Sequence, residues 1–292
     1  MSPSAWRGDG FAIAATFIWG VNYPMVKLVL QTVPESRFML IRFVVSAFLL
    51  VGYLWISKEG VRAKKSHWGH ILILGLLGVG LYNILWTCGI HRTTAANAAL
   101  LISTSPILTG LYSLAAGQEK VHSGLWAGTF LAFGGVCLII SSTPGTEFSF
   151  DSTAFTGNFL VLCGSALFSL YAVIAKPLLH HYSPVKLTTL AMIGGLPVMA
   201  FYDFLQGPEV SLAALPPSVW LETGFIILAG TIAAYVLWYK GIQQTTPLKT
   251  AVFHYIVPVT SMVLGAVLLD EPVTPGQVLG ALSVFLGLMV SK

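Results

Sequence analysis

Polar side chains gather beside prolines at three places in this otherwise apolar sequence. Asn22 and Tyr23 precede Pro24 in WGVNYP, Ser103, Thr104 and Ser105 precede Pro106 in ISTSP, and His254 and Tyr255 precede Pro258 in FHYIVP. A proline inside a helix lacks its N–H and leaves the carbonyl four residues earlier unpaired. Counting Pro197 as well, the carbonyls so freed belong to Gly20, Ile102, Ile193 and His254. Aromatic rings recur around these points at helical spacing: Trp19 with Asn22 and Tyr23, Tyr82 with Trp86, Phe168 with Tyr171, and Tyr235 with Trp238 and Tyr239. Each set therefore shares one helix face. Hydroxyls, an amide, an imidazole and ring faces recognise a small molecule by hydrogen bonds, stacking and attraction of a cation to a ring. The residues singled out as contacts are Tyr82 first, then Asn22, Tyr23, Trp19, Ser103, Phe168, Tyr171, Tyr235 and His254, with Pro24, Pro106, Pro197 and Pro258 as hinges. For any one proline, a kink that only shapes the packing of helices is the alternative.

Bond-breaking chemistry would need a nucleophile with its base, or a metal constellation. The sequence has no HExxH, no GxSxG and no clustered His and Asp. The run GLLGVG at Gly75–Gly80 sits inside an apolar segment, without the strand–loop–helix setting of a phosphate loop. Cys88, Cys137 and Cys163 have no CxxC spacing and read as free thiols, so neither a metal nor a cofactor is indicated.

The elements that must position these residues are set by composition. Of 292 residues 55% are hydrophobic and only 9% charged, against roughly 25% charged in a soluble domain. Apolar stretches of bilayer-spanning length recur at about 10–30, 35–56, 68–90, 94–116, 124–142, 155–179, 184–205, 218–242, 247–269 and 275–291. Backbone groups in lipid must be satisfied within the segment, which makes this an all-α integral membrane protein of ten transmembrane helices. Trp86, Trp238 and Tyr239 lie near segment ends, where an interfacial aromatic belt would also account for them. With the N-terminus inside, Arg7, Lys58, Arg62, Lys64, Lys65, Lys120, Lys176, Lys186, Lys240, Lys249 and Lys292 fall on the inner side. Only Lys27, Arg37, Arg42 and Arg92 fall outside, a positive-inside bias that puts both termini in the cytoplasm.

Shifted by 152 residues, positions 81–140 align with 233–292 without a gap, and fourteen of the sixty are identical, among them Trp86/Trp238, Pro106/Pro258, Glu119/Glu271, Gly128/Gly280 and Gly135/Gly287. The first helices match more weakly at a shift of 149, where Lys27 meets Lys176. The chain thus divides into a five-helix repeat over 1–145 and a second over 146–292. Five is odd, so the second repeat enters the membrane inverted, an arrangement that underlies alternating access in many transporters. Glu119 and Glu271 each stand just before a helix start and read as structural caps, with proton carriage the alternative. Thr274 and Pro275 suit the N-cap and first turn of the last helix.

The passage YIVPVTSMVLGAVLLDEPVTPGQVLGALSVFLGLMV, echoed around Pro106 and Glu119, resembles the EamA-type signature of the drug/metabolite transporter superfamily. Within it the chain looks most similar to the YddG-type amino-acid exporters, and the resemblance covers its whole length. It implies export of aromatic and other neutral amino acids and related small metabolites across the inner (plasma) membrane. The expected partners are the substrate and the lipid bilayer, with no nucleic acid, and a monomer is compatible with it. No Asp or Glu lies mid-span; Asp203, Glu222 and Asp270 are at ends, and His254 is the one titratable side chain well inside. That favours a facilitator over proton-coupled multidrug or metabolite efflux, the alternative. Lys249 is the only cation expected to lean inward, by snorkelling, and the lack of a basic cluster disfavours phosphate-bearing substrates.

Overall fold

The computed structural model describes residues 3–93, 95–119, 122–148, 151–207, 215–268 and 272–291, and these contain helices and no strand. The first half begins with α1 (Pro3–Val29) and α2 (Glu35–Ile56). A third rod joins α3 (Trp68–Gly75), a π-helical stretch Leu76–Leu81 and α4 (Tyr82–Ile90). Then come α5 (Ala95–Ile102), α6 (Ser105–Ala115) and α7 (Ser123–Ser141). The second half repeats the order with α8 (Ser152–Leu178), α9 (Pro184–Gln206) and a rod of α10 (Pro217–Phe225), π-helical Ile226–Ala233 and α11 (Ala234–Gln244). It closes with α12 (Pro247–Val252), a 3-10 turn Phe253–Tyr255, α13 (Ile256–Leu268) and α14 (Pro275–Val290). Among the described residues eight helical stretches are long and apolar enough to cross a membrane, and Pro275–Val290 is apolar but shorter.

The irregularities come in pairs. Both π-helical stretches sit at the same place in their halves, since Leu76–Leu81 shifted by 152 falls inside Ile226–Ala233. The break between α5 and α6 corresponds in the same way to the 3-10 turn between α12 and α13. Pro106 and Pro258 follow those breaks directly, at the second residue of α6 and the third of α13. The other two prolines behave differently: α1 runs unbroken through residue 24 and α9 through Pro197. Two of the four expected hinges thus coincide with an interrupted helix, and two do not.

Equivalent helices of the two halves meet antiparallel. α7 lies along α14, and the contact is made by duplicated glycines. A Cβ on Gly128 would come within 2.4 Å of the Gly287 carbonyl oxygen, and one on Gly135 within 2.6 Å of that of Gly280. A Cβ on Gly280 or Gly287 would in turn come within 2.6 Å of the carbonyl oxygen of Gly135 or Gly128. With no side chains between them, the two backbones approach as closely as helices can. α2 and α9 are also antiparallel: Arg37 Nε lies 3.0 Å from Asp203 Oδ2 at one end, and Lys186 Nζ donates to the Glu59 carbonyl at 3.4 Å at the other. α1 packs on α11 as α8 packs on α4, which is the same contact with the halves exchanged. The start of α1, with Gly8 against Thr245, and the end of α14, with Ser291 against Gly128, lie at the same end of the bundle. Thr274 caps α14 through Gln277 N–H in a capping box, with Pro275 as first helical residue.

This packing yields a paired test. Gly135→Val should destabilise the protein by ~1–3 kcal/mol through overpacking, read as a lower melting temperature in detergent. Gly134→Val, at a position with open space around it, should melt like wild type. Equal melting of the two variants would show that α7 and α14 do not meet at these glycines.

Candidate functional site

Most of the rings picked out by spacing converge. Trp19 of α1 is edge-on to Phe168 of α8 at 5.9 Å and to Tyr235 of α11 at 5.7 Å, and it is tilted against Trp238 at 5.2 Å. Tyr82 lies over Phe168 at 5.1 Å, His254 lies over Phe168 at 5.4 Å, and Tyr171 stacks on Tyr239 at 5.1 Å. Trp19 and Tyr82 come from the first half and join rings of the second, which also contact one another. Trp19, Phe168, Tyr171, Tyr235, Trp238 and Tyr239 are all at least nine-tenths buried, and Tyr82 is half-buried. Burial of Trp238 and Tyr239 rules out a lipid-interface belt for both.

The rings pack directly on one another, edge-on at Trp19, tilted at Tyr82 and His254, and stacked between Tyr171 and Tyr239, arrangements that aromatic pairs prefer. Cavities of about 460 Å³, beside His70, Tyr112 and Gln118, and about 390 Å³, beside Leu100, Cys137 and Phe148, lie outside the cluster. The packing leaves polar atoms stranded: Trp238 Nε1 and Asn22 Oδ1 are buried with no hydrogen-bond partner. Such groups cost about 1–3 kcal/mol each. Trp19 Nε1, by contrast, donates to the Gly230 carbonyl at 3.1 Å.

The polar residues beside the prolines divide. His254 Nδ1 is 3.3 Å from Ser105 Oγ, so the two helix breaks touch each other. Ser103 Oγ donates to the Ala99 carbonyl, four residues back, at 2.7 Å. Asn22 is buried against Gly230, where any Cβ would fall 2.2 Å from its Oδ1. The side chains of Tyr23 and Pro24, and residue Glu271, lie outside the described part of the structure. Two of the carbonyls released by proline are met across the interface: Ile102 O accepts from Ser165 Oγ at 3.4 Å, and Gly20 O from Ser261 Oγ at 3.3 Å.

Charged residues show what sequence reasoning missed. Glu119 is a cap, but not of the helix that follows it. Its Oε1 accepts from Leu248 N–H at 3.1 Å, at the start of α12 in the other half, while His122 caps α7. Lys176 Nζ reaches the carbonyls of Ile242 at 2.7 Å and Gln243 at 3.3 Å, and also that of Thr245, covering the end of α11. Arg42, assigned by its place in the sequence to an outer flank, is 8% exposed and packs inside the bundle. Lys249 is therefore not the only cation that turns inward. Nothing in the local sequence flags Arg42, because only the fold of α2 against the second π-helical stretch buries it.

Long apolar helices with matched interruptions define a multi-pass membrane protein. The chain belongs to the EamA-like transporter family, whose model matches residues 6–141 and again 155–291. It is similar to an uncharacterized transporter, YyaM, of Bacillus subtilis (strain 168), 26% identical over 276 residues that cover 94% of this chain and 89% of that one. It is also similar to a probable amino-acid metabolite efflux pump of Escherichia coli (strain K12), 23% identical over 98% of this chain and 95% of the relative. A crystal structure superposes with a TM-score of 0.83 at 18% identity, covering 98% of this chain and 96% of the other, which shows the fold.

The Glu119 contact gives a direct test. Glu119→Ala should lower stability by ~1–2 kcal/mol, as loss of a helix N-terminal acceptor does, while Glu119→Gln, which keeps an acceptor oxygen, should recover most of it. Melting curves of both in detergent check this. An unchanged Ala variant would mean that the start of α12 has other support.

Proposed function

We propose that this chain exports aromatic and other neutral amino acids, with related small metabolites, across the inner (plasma) membrane by alternating access. The halves 1–145 and 146–292 act as inverted five-helix repeats, and both termini are cytoplasmic. The observation that carries this is the ring cluster, built jointly by the two halves between helices that are equivalent and antiparallel. When one end of the bundle opens, the halves part, and Trp19 and Tyr82 separate from Phe168 and Tyr235. A substrate side chain of similar size and polarity then replaces ring-to-ring contacts with ring-to-substrate contacts. Trp238 Nε1 and Asn22 Oδ1, stranded in the closed cluster, gain a partner in that state. The amino-acid relative in Escherichia coli supports the substrate class.

Three of the described acids have partners away from the rings: Asp203 pairs with Arg37, Glu35 with His91, and Glu119 with the start of α12. A facilitator driven by the substrate gradient fits this pattern better than a proton exchanger. Counterflow in proteoliposomes with a panel of labelled amino acids should therefore run without an imposed pH gradient. Tyr82→Ala should reduce that flux by about two- to tenfold with expression and insertion intact, taking a ring contact as about 0.5–1.5 kcal/mol. Wild-type flux in Tyr82→Ala would reduce the ring to packing, and flux that needs a pH gradient would replace the facilitator with a coupled pump.

A further inference from the structure

Arg42 is the eighth residue of α2 and is buried. A guanidinium does not lose its proton in a protein, so this is a permanent cation within the bundle. Removing such a charge from water is expensive unless an anion or several acceptors replace the solvent. The structure supplies little of that. Arg42 Nε donates to Thr231 Oγ1, and Thr231 is held in the π-helical stretch by donating to the Ile226 carbonyl at 3.0 Å. The guanidinium lies 5.3 Å over the Phe43 ring. Among the described residues no carboxylate pairs with it. The two acids near α2 are occupied, Asp203 by Arg37 and Ser36 and Glu35 by His91 and Tyr202.

The surroundings point toward the ring cluster. Phe43 is edge-on to Tyr235 at 6.2 Å, and Tyr235 is edge-on to Trp19 at 5.7 Å. The phenols of Tyr235 and Tyr82 are within electrostatic reach of the guanidinium. The feature is also one-sided. The residue 149 positions on is Ala191, so that half carries no cation at the equivalent place.

We infer that Arg42 is the carboxylate anchor of the transport site. Its terminal nitrogens grip the substrate carboxylate in a forked hydrogen bond, and the substrate side chain lies among Trp19, Tyr82, Phe168 and Tyr235. Arg42 sets the substrate class as carboxylates with an apolar or aromatic side chain, and it excludes the corresponding amides and amines. This rests on the proposed amino-acid transport for its setting, but its test does not require transport.

The test is ligand binding to the purified full-length protein in detergent, comparing L-phenylalanine, 3-phenylpropanoate and L-phenylalaninamide by calorimetry or thermal shift. Wild type should bind the two carboxylates about tenfold or more tighter than the amide, the discrimination expected when a charged hydrogen-bond pair is lost. Arg42→Gln should cut that preference to less than threefold, and Arg42→Lys should keep part of it. Thr231→Val, which removes only the brace, should keep most of it. Equal binding of amide and amino acid by wild type would overturn the inference even if Arg42→Gln fails to fold, as would a preference preserved in Arg42→Gln. Carboxylate-selective binding without any flux in proteoliposomes would uphold the anchor and sink the exporter. Flux of amino acids with no preference over their amides would do the reverse. Binding of none of the three ligands would overturn both.

Discussion

Every backbone group that leaves the regular helix inside an apolar bundle has to be met by protein, and here it is met largely by the opposite half. The carbonyl released before Pro106 is covered by Ser165 of α8, and that of Gly20 by Ser261 of α13. The imidazole in one helix break touches the hydroxyl in the other through His254 and Ser105. The start of α12 is capped by Glu119 from across the interface, and the end of α11 by Lys176 of α8. In lipid such groups would each cost several kcal/mol if left alone. Neither half is therefore a self-sufficient unit at its irregular points.

That interface has a rigid part and a part built of replaceable contacts. Glycine-to-glycine packing of α7 on α14 brings backbone against backbone, a contact that tolerates rotation but not insertion. The ring cluster is different. Its aromatic contacts are edge-on, tilted and stacked and individually modest, and Trp238 Nε1 and Asn22 Oδ1 have no partner. A buried guanidinium at the margin of the cluster adds the one strong, directional element. Binding energy would then come from the carboxylate, and the rings would set which side chains fit.

Much of the fold was legible in the sequence because the bilayer imposes a simple pattern: long apolar segments, short connections and a duplicated proline–glutamate–glycine passage. The breaks at Pro106 and Pro258 and the cap at Thr274 follow from local backbone chemistry, and they appear where that chemistry places them. The failures share a cause. Glu119 finds its helix terminus 129 residues away, and local capping rules look only to the next helix. Arg42 stands near a segment end, where a cation ordinarily reaches the interface, and only tertiary packing turns it inward. Pro24 and Pro197 sit in helices that run through without interruption, so a proline marks a possible break and its surroundings decide.

Central to the account is reciprocal motion of the two halves about a shared cluster. Spin labels at Ala116 with His180, at the end where Lys176 caps α11, and at Gln31 with Gln206, at the end of the Arg37–Asp203 pair, stand on exposed sites of opposite halves. Distances measured by pulsed electron resonance, with and without substrate in lipid, should lengthen for one pair as they shorten for the other. Two pairs that stay fixed, or that lengthen together, would contradict alternating exposure of a central site.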